Sequence, residues 1–158
     1  MARSSTITRK ERLGLTIHRD LDKWLTPLGV WVLRRTEGAI ARRFKVDALL
    51  LTTHGRRSGR ERTVVLQFFP DGAAMIVAAA NDGDATPPGW YYNLTTDPSA
   101  RVEVMGRIIA VRAEELGPVE AADWWQRILR RSPDYERYAR SAGRTIPVLR
   151  LVPISSAS

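Results

Sequence analysis

The stretch Leu49–Leu66 reads LLLTTHGRRSGRERTVVL, and the interpretation of the whole chain starts from it. Two apolar, β-like runs flank a turn that contains glycine, serine and four arginines, a pattern that predicts a β-hairpin with a basic loop. Arginine presents a planar fork of donors that matches phosphate and carboxylate oxygens, and glycine lets backbone amides approach an anion. The loop therefore predicts an anion-binding site, although hairpin loops also carry glycine and charge without binding a ligand.

The length and composition predict one domain with a substantial core, since the chain has 158 residues and 44% of them are hydrophobic. The absence of cysteine excludes disulfides, thiolate metal ligands and a cysteine nucleophile. The two histidines, His18 and His54, are too few for a histidine-rich metal site, so no metal is expected. No apolar run approaches the ~20 residues of a membrane span, and no secretory signal is visible, so a cytoplasmic location is expected.

The charge is strongly positive and uneven, with a net charge of +8. Residues 1–45 contain eleven Lys/Arg and four Asp/Glu. This balance favours an anionic partner such as a phosphorylated cofactor, an anionic membrane or a nucleic acid. A non-catalytic basic binding module is thus an alternative function. Of the two partners that such a module could bind, nucleic acid is less favoured than an anionic membrane, because the aromatic residues mostly lie away from the basic segments.

The chain is expected to divide into a basic, partly helical extension over residues 1–45, a domain over 46–154 and a short polar tail over 155–158. Within the extension, Leu21, Trp24, Leu25, Leu28, Trp31 and Val32 recur at helical spacing, interrupted by Pro27 and Gly29. This amphipathic segment predicts either a helix packed against its own domain or a peripheral contact with an anionic membrane.

The rest of the chain predicts an α+β fold built on a small antiparallel barrel with peripheral helices. Strands are expected at 47–53, 62–69, 73–80 and 146–152, with a hairpin over 101–112 and a turn at Pro70-Asp71-Gly72. Helices are expected from 87 to about 94, and over 119–131 and 135–141. A doubly wound sheet is disfavoured, because there is no βαβ rhythm and no GxGxxG at a strand–helix junction.

Four blocks of sequence, in order, resemble the deazaflavin-dependent nitroreductase and quinone reductase family. They are TTHGRRSGRERTVVL, AMIVAAAND with PPGWYYNLTTDP, ARVEVMGRIIAVRAEEL, and SPDYERYARSAGRTIPVLRLVP. The resemblance implies a split β-barrel of the flavin-reductase-like type. It also implies hydride transfer from reduced deazaflavin coenzyme F-420 to a quinone, nitroaromatic or similar acceptor. FMN is the alternative cofactor, because split barrels also bind FMN or haem and the fold alone does not choose.

The resemblance also implies positions for the cofactor. It places the phosphate and glutamate tail on Arg56, Arg57, Ser58 and Arg62, and the flat ring on Ala78, Ala79, Ala80 and Asn81. It places Val65, Gln67 and Trp90 beside the ring, and it implies that Asn93 braces the turn. On burial statistics alone, the three alanines are ordinary strand core and the tryptophan is a core or interface residue.

Tyr135 and Tyr138 are the candidate catalytic residues, since they lie three apart on one helical face and match tyrosines near the family's acceptor site. A hydroxyl there could bond to a carbonyl or nitro oxygen and assist its protonation. The alternative is that both rings anchor the helix to the core. The chain departs from the family pattern at Ala80, Asp82 and Ser132, where serine, glycine and tyrosine are frequent, and also at Val65 and Gln67. The oligomeric state is left open.

Overall fold

In the computed structural model, Trp31, Arg35 and residues 47–155 are described, and seven strands of this part form one antiparallel sheet. The strands are β1 Ala48–His54, β2 Glu61–Gln67, β3 Phe69–Asp71, β4 Ala74–Ala78, β5 Ser99–Val104, β6 Arg107–Glu115 and β7 Val148–Pro153. The helices are α1 Gly89–Thr96, α2 Pro118–Arg131 and α3 Asp134–Ala142, and a 3-10 turn spans Asn81–Gly83. The strand order across the sheet is β2-β1-β5-β6-β7-β4-β3.

The two edge strands of the sheet, β2 and β3, are neighbours in the chain, with only Phe68 between them. Two Cα–Cα steps span at most about 7 Å, so the two edges must meet at this point. The sheet can satisfy this only by curling into a half-closed barrel. The Phe68 N–H donates to the Asp47 carbonyl at 2.9 Å, which extends the β1–β2 pairing to the junction.

The concave side of the barrel is filled by alternate strand residues and by α1. On β4, Met75 and Val77 point inward, while Ile76 and Ala78 belong to the opposite face, as the two-residue period of a strand requires. Helix α1 contributes Trp90 and Leu94 to the interior. The buried interior consists of Leu49, Leu51, Met75, Val77, Ala79, Trp90, Leu94, Val102, Val111, Leu149 and Leu151.

A second core lies on the convex side, where α2 and α3 cover β3, β4 and β7. Trp124 and Ile128 form the buried stripe of α2, and Tyr135 and Tyr138 of α3 pack at its border. The buried members are Phe69, Ile76, Ala78, Ala80, Trp124, Ile128, Ile146 and Val148. Strand β4 therefore separates the two cores, and its C-terminal end lies beside both.

The antiparallel α+β architecture is confirmed, with corrections to single elements. The strand predicted over 62–69 is two strands, and Pro70 and Asp71 lie within β3. The turn instead occupies Gly72 and Ala73, where Gly72 has φ +59°. The strand predicted over 73–80 ends at Ala78, because the 79–86 segment leaves the sheet.

The N-terminal helix predicted from the amphipathic pattern lies outside the described residues, except for Trp31 and Arg35. Both of these are helical, and the Arg35 guanidinium lies 5.5 Å from the centre of the Trp31 ring. Among the described residues, no helix has the length and apolar character needed to cross a membrane.

Candidate functional site

The loop between β1 and β2, residues 55–60, is closed by its own hydrogen bonds; we call it the Arg loop. The Gly55 N–H donates to the Arg60 carbonyl at 2.8 Å, and the Gly59 N–H donates to the Gly55 carbonyl at 2.7 Å. The Ser58 hydroxyl accepts from the Arg60 N–H at 3.2 Å and keeps its own O–H free to donate. A Cβ at Gly55 would lie 2.8 Å from the Ser58 hydroxyl oxygen and 3.2 Å from the Arg60 carbonyl oxygen, so any other residue there would have to displace the Ser58 side chain.

Asn93 of α1 fixes the Arg loop to the barrel. Its side-chain oxygen accepts from the Arg56 backbone N–H at 3.1 Å, and its amide donates to the Thr53 hydroxyl at 3.1 Å. Asn93 is buried, and the Arg56 guanidinium lies 5.0 Å from the centre of the Tyr92 ring. Through these contacts Asn93 holds the loop against the first helix.

The Arg loop retains its positive charge. Glu61, the acid that follows the loop, forms a two-pronged pair with Arg101 of β5 at 2.5 and 2.9 Å, and the hydrogen bond from Arg101 lowers the pKa of Glu61. Arg57, Arg60 and Arg62 are exposed, and none forms an ion pair with a described carboxylate. Exposed, unpaired guanidinium groups on a braced loop fit a ligand that carries phosphate and carboxylate groups.

The end of β4 leads into a strained turn over residues 79–86. Asn81 and Asp82 have left-handed φ values of 48° and 53°, and Gly83 follows at φ 82°. Asparagine and aspartate tolerate this region better than most residues, but two in succession still imply strain. Hydrogen bonds within the turn stabilise it. The Asn81 side-chain amide donates to the Thr86 carbonyl at 2.9 Å, and an Asp84 carboxylate oxygen accepts from the Thr86 N–H at 2.9 Å.

The same turn packs directly against α3. A Cβ at Gly83 would lie 2.9 Å from the Ser141 Cβ and 3.1 Å from the Tyr138 Cα. Glycine is therefore required at this position for both its φ and its close approach. The contact places Asp82 near the two tyrosines, since its charge contributes to the pKa of each.

The two candidate catalytic tyrosines touch edge to face, with ring centroids 5.4 Å apart. Tyr135 also packs against Phe69 and Trp125, at 6.0 and 6.2 Å between centroids. Burial, reinforced by neighbouring negative charge, raises the pKa of both hydroxyls. Both therefore stay protonated at neutral pH, and the Tyr135 hydroxyl has no hydrogen-bond partner among the described residues.

The remaining predicted site residues lie in different environments. Ala78, Ala79 and Ala80 are all buried, and the Ala79 N–H already donates to the Pro147 carbonyl at 2.9 Å. Asn81 is exposed, Trp90 is buried against the interior, and Val65 is 40% exposed on the outer face of β2. Gln67 donates from its side chain to the Ser132 hydroxyl at 2.7 Å.

Helix α1 brings the two halves of the predicted site together. Trp90 and Asn93 lie one helical turn apart on the same face. Trp90 packs in the cluster that contains Ala79, and Asn93 holds the Arg loop. The loop predicted for the cofactor tail and the strand end predicted for its ring are thus connected through one rigid element.

Arg144, which precedes β7, is a residue of this region that the motif analysis did not single out. Its guanidinium donates to the carbonyl oxygens of Ala79, Ala80, Asp84 and Thr86 at 3.1–3.3 Å. Its Nη1 is buried with no hydrogen-bond partner. Arg144 lies within the block SPDYERYARSAGRTIPVLRLVP that resembles the family, but a local sequence block does not reveal these long-range contacts.

No group of three or more potential metal ligands occurs within the part of the chain that the structure describes.

A half-closed antiparallel barrel with a braced cationic loop and a strained turn beside two neutral tyrosines is the arrangement of a split β-barrel protein. The family model of F-420H(2)-dependent quinone reductases matches residues 26–153 of this chain. An F-420H(2)-dependent quinone reductase of Mycobacterium tuberculosis is 32% identical over 143 residues, which cover 82% of this chain and 96% of that protein.

Solved structures agree with this assignment. An F-420-H2 dependent reductase superposes with a TM-score of 0.61 at 29% identity, covering 66% of this chain and 93% of the other. A chain described as a domain-swapped dimer gives a TM-score of 0.63 at 27% identity, covering 91% and 99%. The chain belongs to the F-420H(2)-dependent quinone reductase family, and it is an oxidoreductase whose cofactor is coenzyme F-420.

Proposed function

We propose that the protein reduces a quinone with reduced F-420, and that nitroaromatic compounds are a further class of acceptor. The observation that carries the proposal is the Arg loop, whose exposed Arg57 and Arg60, unpaired among the described residues, lie beside the exposed Arg62 of β2 and which is held to α1 by the buried Asn93. The family to which the chain belongs supports a quinone as acceptor.

The residues take three roles in this proposal. Arg56, Arg57 and Arg62, with the Ser58 hydroxyl, hold the phosphate and glutamate tail by charge-assisted hydrogen bonds. The segment from Ala78 to Asn81 and the wall at Trp90 receive the flat ring. Val65 and Gln67 would border the ring site, as the resemblance implies.

The cofactor, when bound, supplies the hydride, and the protein supplies orientation and protons. Tyr135 and Tyr138 remain protonated because burial raises the pKa of both, so either hydroxyl can donate a hydrogen bond to the acceptor oxygen. A neutral donor at this oxygen stabilises the negative charge that develops there as the hydride arrives. The Phe69 and Trp125 rings pack edge to face against Tyr135 and cover part of its ring.

A direct test is to titrate the purified protein with oxidised F-420 and, in parallel, with FMN. We expect saturable binding of F-420 and none of FMN. The double variant Arg57→Glu with Arg62→Glu should weaken F-420 binding roughly a hundredfold, since two charge-assisted bonds of about 1.5 kcal/mol each are lost. The matched control is Arg107→Glu with Arg130→Glu, which makes the same change in net charge at exposed positions away from the loop.

Equal loss in the loop variant and the control variant would mean that only net charge matters, and it would remove the tail-binding role. Binding of FMN in place of F-420 would contradict the cofactor role. Turnover is then measured with a quinone and a nitroaromatic. Reduction of neither acceptor by a protein that binds the cofactor would overturn the proposed reaction.

A cytoplasmic location and a peripheral membrane contact of the N-terminal segment are separate proposals, supported by the basic composition of residues 1–45. Co-sedimentation of the full chain with vesicles tests the contact. Binding to anionic vesicles that is absent with neutral vesicles would support it, and equal recovery in both would contradict it.

A further inference from the structure

Arg144 uses its guanidinium to fasten one short segment of backbone. Its Nη2 donates to the carbonyls of Ala79, Ala80 and Thr86, and its Nε donates to the carbonyl of Asp84. These bonds cross 58 to 65 positions of sequence and include both ends of the 79–86 turn. One planar side chain thus sets the distance between the end of β4 and the start of the loop that precedes α1.

Holding the turn in this way leaves one buried donor of the Arg144 guanidinium without a hydrogen-bond partner. The Nη1 of Arg144 is buried without a hydrogen-bond partner, and Arg144 forms no ion pair with a described carboxylate. Burying an unpaired charged donor is unfavourable, and such groups are rare in folded proteins unless they serve a site. Lysine, with a compact point charge, could not bridge the same four carbonyls.

The segment that Arg144 holds would not be expected to keep its shape alone. Asn81 and Asp82 occupy left-handed conformations that cost on the order of 1–3 kcal/mol each, and such strain persists only where the surroundings over-determine it. Two sets of hydrogen bonds hold the turn in this conformation. Arg144 bonds to its backbone carbonyls from outside the turn, and Thr86 bonds to the Asp84 carboxylate inside it.

We propose that Arg144 is a positioning residue for the ring of the deazaflavin: by clamping the 79–86 turn it sets the affinity for the ring, while the Arg loop separately sets the affinity for the tail. The inference rests on the proposed function, in which the segment from Ala78 to Asn81 receives the ring. The two determinants are separable because the Arg loop is held by Asn93 and Thr53, with no bond to Arg144.

The test compares complete F-420 with its chromophore lacking the phosphate and the glutamates, using fluorescence titration of each. Arg144→Gln is expected to weaken both ligands by the same factor, tenfold or more. The charge-reversal variant Arg57→Glu with Arg62→Glu is expected to lower the affinity for the complete cofactor only. The matched control is Arg140→Gln, which removes an exposed α3 arginine paired with Glu136; both affinities should stay unchanged.

Two further variants separate positioning from charge and from misfolding. Arg144→Lys keeps the positive charge and loses the fork, so the affinity for the tail-less chromophore should remain weakened; full recovery would assign the effect to charge and overturn the positioning role. Asp84→Ala loosens the same turn by removing the carboxylate that accepts from Thr86, and it leaves the Arg144 side chain and its carbonyl partners in place. It should weaken binding of the chromophore in the same direction. This variant answers the question if Arg144→Gln does not fold.

Hydrogen exchange provides a readout that needs no ligand. The amides of Gly83 and Asp84, which bond to the carbonyls of Ala80 and Asn81, should exchange faster in Arg144→Gln than in Arg140→Gln. If the tail-less chromophore binds Arg144→Gln and Asp84→Ala as tightly as the unchanged protein, the inference is wrong although the proposed function stands. If the unchanged protein binds neither ligand, the proposed function fails, and this inference fails with it.

Discussion

The side-chain amide of Gln67, at the end of β2, donates a 2.7 Å hydrogen bond to the hydroxyl of Ser132, between α2 and α3. In the family that the chain resembles, position 132 is often a tyrosine and position 67 can be aromatic. The bond ties an edge of the barrel to the helical corner beside Tyr135, whose backbone N–H donates to the Ser132 carbonyl at 3.2 Å. A polar pair thus stands where two rings could have packed, next to the candidate catalytic tyrosines.

Ser132→Ala leaves the half-buried amide of Gln67 without its partner. We expect a loss of about 0.5–1.5 kcal/mol in the free energy of unfolding, measured by urea denaturation. Ser99→Ala is the control, because Ser99 is exposed and its side chain makes no hydrogen bond among the described residues. Equal stability of the two variants would show that the bond contributes nothing.

Asn93→Ala removes the hydrogen bonds by which α1 holds Arg56 of the Arg loop and Thr53 of β1. The buried Thr53 hydroxyl and the Arg56 N–H lose their partner, so the free energy of unfolding should fall by about 1–3 kcal/mol and F-420 affinity should fall as well. Thr95→Ala on the same helix serves as the control, since the Thr95 hydroxyl bonds only to the Tyr92 carbonyl at an exposed site. An Asn93 variant with undiminished cofactor affinity would refute the bracing of the tail site.

Glu61→Gln removes the negative charge nearest to the Arg loop and leaves Arg101 unpaired. Affinity for F-420 should rise a few-fold at low salt and return to the original value at high salt, because exposed charges are screened. Arg101→Gln, which frees the Glu61 carboxylate, should have the opposite effect. The measurement is the dissociation constant at two ionic strengths, and a salt-independent change would contradict an electrostatic cause.

The two partly buried tyrosines, Tyr135 and Tyr138, make the folded protein sensitive to strong alkali. Their pKa values are raised above the ordinary value of about 10. The unfolded chain therefore loses these protons first, so stability is fully present below about pH 10 and declines as the pH rises toward the folded-state values. In a tyrosinate absorbance titration, Tyr135→Phe and Tyr138→Phe should each delete a late-titrating group. Ionisation of both tyrosines at the ordinary pH in the folded protein would contradict the burial.

Gly83→Ala should be much more harmful than Gly72→Ala, although both glycines have positive φ. At Gly83 the new methyl group would meet Ser141 and Tyr138 of α3, whereas at Gly72 it meets nothing within 4 Å. We expect losses of about 2–4 kcal/mol and about 1–2 kcal/mol, from strain plus overpacking and from strain alone. The measurement is urea denaturation of both variants. Equal losses would show that the turn shifts away from α3 at little cost, and they would contradict the expected clash.

Features set by local chemistry could be read from the sequence. The Arg loop, the helix after Pro88 and the restart of helix after Pro133 follow from glycine, proline and apolar periodicity. The break at Phe68 could not, since the apolar pattern runs on through it and the strand divides only because β3 pairs with β4. The four carbonyls on Arg144 and the close approach of Gly83 to α3 depend on contacts between distant segments, which periodicity does not record.

The junction at Phe68 also determines how the chain can assemble. Hairpins such as β1–β2, β3–β4 and β5–β6 close short loops, but β4 pairs with β7 between residues as distant as Met75 and Leu151. Of the strand pairings in the sheet, β4–β7 joins the residues farthest apart in the chain, so it has the largest loop-closure entropy to overcome. Because β4 carries the 79–86 turn and β7 follows directly after Arg144, the step that completes the barrel is also the one that assembles the candidate ring site. The site is therefore not formed in any partly folded chain that lacks the final strand.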